Sequence, residues 1–90
     1  MHADTDNITR RLKIARGQID GILKMVEEDR YCIDISNQLM AVVSALKVIN
    51  RDVLSAHLNH CVTTSLESQD EAQISEKMEE IKQVINTLSK

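Results

Sequence analysis

The sequence predicts an all-α protein: a three-helix subunit with a long central helix, whose core closes only when copies of the chain assemble. Three observations carry this expectation. The 90 residues contain no Pro and only two Gly, so strand–turn–strand architectures lack their turn residues. There is no Trp or Phe and a single Tyr, which leaves Leu, Ile, Val, Met and Ala to build a core of the helix-on-helix kind. Apolar residues recur at three- and four-residue steps along three separate stretches. A chain of this length sits where an isolated core is thin and oligomerisation often completes burial. No internal repeat, low-complexity segment or linker divides it, so residues 1–90 are expected to form one domain.

The first helix is expected from about Asp4 to Glu28. Ile8, Leu12, Ala15, Ile19, Ile22 and Val26 share one face, and Asp4 or Thr5 is a plausible N-cap. Gly17 and Gly21, one turn apart, would each cost stability relative to Ala, which points to close backbone approach by a neighbouring helix. Glu27-Glu28-Asp29-Arg30 is the only break before the second helix, and a turn there makes an antiparallel hairpin. The long helix is expected from about Tyr31 to Thr64. Ile35, Leu39, Val42, Leu46, Ile49 and Val53 alternate steps of four and three, a coiled-coil-like repeat. Ile33, Met40, Val43, Leu54, Leu58 and Val62 widen the stripe, so this helix needs more than one packing partner. Ser65 to Asp70 is expected as the second break, with a capping-box pattern at Ser68-Gln69-Asp70-Glu71. The third helix then carries Ile74, Met78, Ile81, Val84, Ile85 and Leu88 on one face.

The net charge of −3 hides an asymmetry. Residues 8–24 carry Arg10, Arg11, Lys13, Arg16 and Lys24 against one acid, Asp20, whereas acids outnumber bases from Val26 onward. Oligomerisation would multiply that basic stripe, although a solvated helix surface carries the same pattern. The first residues are polar and acidic, and no apolar run approaches the roughly 20 residues a membrane span needs, so a cytoplasmic protein is expected. Two Cys in a reducing compartment are then ligands, redox-active thiols or core residues before they are a disulfide.

His57 and Cys61 are four residues apart, hence on one helix face within reach of one ion. At about 100° per residue, Cys32 shares their azimuth to within about 20°. At 1.5 Å per residue, however, it stands roughly 37 Å from His57 along the same helix. Two chains packed antiparallel through this face would bring Cys32 of one to His57 and Cys61 of the other. The two-fold axis would cross near Ala45 and Leu46, where Ala41, Ser44 and Ala45 keep the approach close. Such an isologous dimer is an antiparallel four-helix bundle with two identical sites. Two thiolates and an imidazole suit three-coordinate Cu(I), whereas zinc usually wants a fourth ligand and His60 lies off the His57 azimuth. The same residues also fit two small buried thiols beside a chance His-x-x-x-Cys.

Arg10-Arg11-Leu12-Lys13, Gly17-Gln18-Ile19-Asp20-Gly21-Ile22, Tyr31-Cys32, Gln38, Ser44-Ala45-Leu46 and His57-Leu58-Asn59-His60-Cys61 together resemble the copper-sensing repressor (CsoR-type) family. The resemblance runs over about residues 7 to 85, and its specific part is the Cys, His, Cys set. It implies a DNA-binding repressor, a dimer of hairpins pairing into a tetramer, that holds its operator when apo. Cu(I) bound by Cys32 of one subunit with His57 and Cys61 of another would release it. It further implies Tyr31 beside the first Cys, and Glu76 on the third helix if the loop after Cys61 is one residue shorter, as residues that orient the copper ligands. Under the same resemblance Arg10, Arg11, Lys13 and Arg16 contact phosphates, with Lys47 and Arg51 as further candidates. No helix-turn-helix, zinc finger or base-stacking aromatic set is present, so binding would follow DNA shape and salt.

Persulfide-sensing members of the same scaffold use their two Cys for intersubunit di- or polysulfide links; here these would be Cys32 and Cys61, without a metal. His57 speaks for copper, since those relatives typically lack it. A purely structural helical oligomer with core thiols is the remaining alternative. No nucleophile–base–orienter set and no phosphate loop suggest an enzyme. His2 and His60 are expected as surface residues, His2 with at most adventitious metal binding.

Overall fold

A computed structural model describes residues 1–68 and 70–89. The order is α1 (Thr5–Glu27), α2 (Cys32–Ser68) and α3 (Glu71–Ser89), with no strand among the described residues. The chain divides into two compact units, one of Asp4–Asn50 and the other of Met1–Ala3 with the chain from Arg51 onward.

In the first unit Asp4 caps α1, its Oδ1 accepting from the backbone N–H of Asp6 at 3.1 Å and of Asn7 at 3.2 Å. Of the α1 stripe, Ile8, Ala15 and Ile22 are buried, each seven residues from the next. Val42 and Ile49 are buried on α2 at the same spacing, with Ile35 half-buried before them. Two sevenfold sets on helices joined by a short turn form a hairpin seam, and Ala15 and Ile49 line one cleft. The other half of each stripe stays open: Leu12, Ile19, Val26, Leu39, Met40, Val43 and Leu46 are all exposed.

The hairpin turn solves the absence of Gly with an acidic residue. Asp29 takes a left-handed φ of 52°. Its N–H donates to the Val26 carbonyl at 3.1 Å, and that of Arg30 to the Met25 carbonyl at 2.9 Å, the paired bonds of a Schellman cap. Gly17 and Gly21 are exposed, and a Cβ built on either meets nothing within 4 Å. Among the described residues, no helix makes the close approach expected at these glycines.

In the second unit Val53, Leu54 and Leu58 of α2 and Ile74, Ile81 and Val84 of α3 are half-buried, while Met78 and Ile85 are exposed. The expected break at Ser65–Asp70 is shorter than its sequence suggested. Ser65–Ser68 holds no Gly or Pro, and α2 continues through it. Asp70 begins α3, its Oδ1 accepting from the Ala72 N–H at 3.0 Å. Gln69 of the expected capping box lies outside the described residues, as do the side chains of Ser68 and of Leu88 on the α3 face. Over Cys32–Thr64, α2 is also apolar and long enough to cross a membrane by composition, which corrects the expectation drawn from uninterrupted runs. Ser36, Asn37, Gln38 and Ser44 interrupt its apolar runs without making the stretch polar on average. Helices that pack against several partners share that composition.

Candidate metal centre

His57 and Cys61 occupy successive turns of α2, and regular helix geometry is enough to bring them together: Cys61 Sγ lies 3.4 Å from His57 Nε2. Cys61 is buried, 5% exposed. The third donor comes from α3, where Glu80 Oε1 is hydrogen-bonded to the same Nε2. Lys77, one turn earlier on α3, donates to Glu80 Oε2 at 3.3 Å. His57, Cys61 and Glu80 offer one ligand atom each, all within 4.8 Å of one another.

The charges in this chain of contacts support each other. The His57 hydrogen bond, and after it the Lys77 bond, holds the Glu80 carboxyl below the usual carboxylate range. Lys77 in turn is raised, first by its bond to Glu80. A carboxylate can only accept, so Nε2 carries the proton in this contact and the basic nitrogen of a neutral His57 ring is Nδ1. The ring is thus fixed in orientation by a residue of the neighbouring helix.

His2 and His60 are exposed, as expected, but they are not independent. Their rings stack at 3.7 Å between centroids and 15° between planes, and the His2 ring centroid is 6.0 Å from that of His57. Desolvation, and after it the neighbouring His60, pushes His2 below the ordinary imidazole value. Imidazole lone pairs lie in the ring plane, so two parallel rings aim side by side rather than at one ion. The stack borders a cleft of about 420 Å³ whose lining includes His57 and Glu80.

The other sequence-derived candidates fall elsewhere. Cys32 is the first residue of α2, exposed, and outside the His57 cluster. Tyr31 precedes it and is 68% exposed. Glu76 is exposed, and the carboxylate at His57 is Glu80, one α3 turn further on. The Glu76 expectation rests on the family resemblance with a loop one residue shorter; with α2 running to Ser68 and α3 beginning at Glu71, the carboxylate that meets His57 is Glu80. Neither Glu80 nor Lys77 has a signal in the sequence, since no Gly or Pro marks where α2 ends. Among the basic residues, Arg10 is exposed and donates to Asn7 Oδ1 at 3.0 Å, Arg11 is half-buried, and Lys13, Arg16, Lys47 and Arg51 are exposed.

Comparison with known proteins places this geometry in context. The profile of a family described as metal-sensitive transcriptional repressor matches residues 4–87. The copper-sensing transcriptional repressor RicR of Mycobacterium tuberculosis is 48% identical over 61 residues, 68% of this chain and 64% of RicR, so the chain spans just under two thirds of that relative. The copper-sensing transcriptional repressor CsoR of Bacillus subtilis is 45% identical over 80 residues, 88% of this chain and 79% of CsoR. Among solved structures, the copper-sensing repressor CsoR with Cu(I) from Geobacillus thermodenitrificans superposes with a TM-score of 0.71 at 42% identity, covering 89% of this chain and 84% of that one. The nickel-responsive transcriptional regulator InrS superposes with a TM-score of 0.82 at 28% identity, covering 98% and 96%.

Proposed function

The chain belongs to the metal-sensitive transcriptional repressor family, and from that premise we propose that it is a cytoplasmic copper-sensing repressor. It binds operator DNA when metal-free and leaves it on binding Cu(I). The observation that carries the reading is the placement of a buried thiol, Cys61, and an imidazole oriented by Glu80, His57, on adjacent turns of one α2 face. A soft sulfur and a borderline nitrogen are the donors Cu(I) prefers, and they fit it better than they fit a hard cation. Cys32 of a second copy supplies the other thiolate, which makes the site a property of the dimer. The half-open stripe of Leu39, Met40, Val43 and Leu46 on α2 is the surface such a copy covers, and two dimers pair into a tetramer.

Glu80 gives the site its route to DNA. It keeps Nε2–H engaged and leaves Nδ1 for the ion, so the ring that senses copper is tied to α3 throughout. Any displacement of His57 is passed to α3 through that hydrogen bond and changes the shape the oligomer presents to DNA. Arg10, Arg11, Lys13 and Arg16, with Lys47 and Arg51, contact phosphates. Binding should therefore weaken steeply with salt, and Arg16→Ala should flatten the log–log slope by about 1 for each subunit that contacts DNA through it.

The test is fluorescence anisotropy of the full chain on DNA from its own promoter, titrated anaerobically with Cu(I). The wild type should bind when apo and be released by about one Cu(I) per subunit. Cys32→Ser, His57→Ala and Cys61→Ser should bind DNA as the wild type does and fail to release it. Weak Cu(I) binding together with efficient Cys32–Cys61 cross-linking by persulfide would replace copper with reactive sulfur as the signal.

A further inference from the structure

The donor set of His57, Cys61 and Glu80 is complete within one chain, and it is not the set Cu(I) would choose. It has one nitrogen, one sulfur and one carboxylate oxygen, their ligand atoms within 4.8 Å of one another. A carboxylate adds little for soft Cu(I), whereas Zn(II) accepts all three donor types and takes a water as fourth ligand. The spacing agrees. With Zn–S near 2.3 Å and Zn–N near 2.0–2.1 Å, tetrahedral geometry puts sulfur and nitrogen about 3.5 Å apart, and Cys61 Sγ stands 3.4 Å from His57 Nε2. The Nε2–Oε1 contact has to open as an ion enters, which a rotation of the Glu80 carboxylate provides while Lys77 keeps Oε2.

We propose that His57 Nε2, Cys61 Sγ and Glu80 Oε1 form an intrasubunit site for Zn(II), which shares His57 and Cys61 with the copper site and differs from it in the third protein ligand and in symmetry. The ring proton moves from Nε2 to Nδ1, the Cys61 thiol releases its proton to solvent, and Zn(II) takes the place the Nε2 proton held between imidazole and carboxylate. Copper at Nδ1 leaves Glu80 as a hydrogen-bond acceptor and enlists Cys32 of a second copy. Zinc at Nε2 turns Glu80 into a ligand and needs no second copy. Glu80 is thereby the residue that sorts the two ions: zinc fills the cluster without joining the subunits that copper joins. The contrast rests on the copper reading above, but the zinc site stands on residues of one chain.

The experiment titrates the full apo protein with Co(II), whose thiolate charge-transfer and d–d bands report tetrahedral N/S/O ligation, and then displaces Co(II) with Zn(II). Cys32→Ser should keep both affinities within about 3-fold, while Glu80→Gln should lower them about 10-fold or more and Glu80→Asp should recover part of the loss. Cys61→Ser should abolish the charge-transfer band. Helicity by circular dichroism confirms that each variant is folded. Cu(I), measured against a competing chelator on the same proteins, should show the reverse order: a loss of about 100-fold in Cys32→Ser and less than about 10-fold in Glu80→Gln. A Zn(II) affinity that falls as far as Cu(I) in Cys32→Ser, or that is unmoved in Glu80→Gln, would overturn the intrasubunit site. Cu(I) binding that survives Cys32→Ser would overturn the copper reading and leave the zinc site standing.

Discussion

The hairpin of Asp4–Asn50 and the part of the chain from Arg51 onward satisfy their side chains in opposite ways. The hairpin buries three α1 and two α2 residues in its seam and leaves a larger set of aliphatic side chains open, with a basic stripe beside them. In the unit of Met1–Ala3 and the chain from Arg51 onward, the notable contacts are polar: Cys61 to His57, His57 to Glu80, Glu80 to Lys77, His2 to His60. One region leaves apolar side chains exposed, while the other ties its buried thiol to a chain of polar contacts. Assembly and metal chemistry should therefore respond to different substitutions, although the copper site proposed above draws on both.

The widest separation should come from Leu46→Lys. Leu46 is 41% exposed in the single chain and lies at the expected two-fold axis. Burying an ammonium there, unpaired, should cost the dimer about 3 kcal/mol or more, roughly a hundredfold in dissociation constant. Sedimentation velocity reads it directly. Wild-type sedimentation by this variant would mean that the face is not covered by a second copy, whereas Zn(II) binding should persist in the dissociated chain.

Gly17→Ala probes the same hairpin from its other side. Nothing lies within 4 Å of a Cβ built at Gly17, so the substitution should add about 1 kcal/mol of helix stability in urea unfolding. A loss of stability, or of oligomer at constant helicity, would show that another copy's backbone occupies the space. Asp29→Gly should add less, about 0.5–1 kcal/mol, by relieving the left-handed φ of 52° at the Schellman cap. Unchanged or lower stability would mean that the Asp29 side chain contributes more than its backbone costs.

The contrast between the regions also explains what the sequence could and could not disclose. Helix type and order follow from periodicity and from the scarcity of breakers, and α1 differs from its expected bounds by one residue at each end. His57 and Cys61 were legible because an i,i+4 pair depends only on helix geometry. Glu80 was not, because its partner is on another helix and the pairing depends on where the turn falls, which a stretch with no Gly or Pro does not mark. The half-buried state of the α1 and α2 stripes was hidden for a related reason. Periodicity marks the faces that are apolar, but it does not say which of them the chain covers itself. The membrane-like average of α2 arises from the same surplus of apolar faces.

The smallest expected effect is the pH response of the Lys77–Glu80 pair, and its sign is fixed by the two shifts. Glu80 is lowered by His57 and then Lys77, so its contribution is fully present above the ordinary carboxylate pKa and is lost as pH falls through its depressed value. Lys77 is raised by Glu80, so its contribution is fully present below the ordinary Lys pKa and is lost as pH rises through its elevated value. The pair therefore supports the α3 contact across the whole neutral range and fails only at the two extremes. Thermal unfolding of apo protein from acid to alkaline pH should show a plateau flanked by two declines. Both declines should become shallower in Glu80→Gln, which removes the acidic group and the largest cause of the raised Lys77. Because both side chains reach solvent, salt should compress the difference between the two proteins, whereas an acid decline unchanged by Glu80→Gln would assign that decline to other carboxylates.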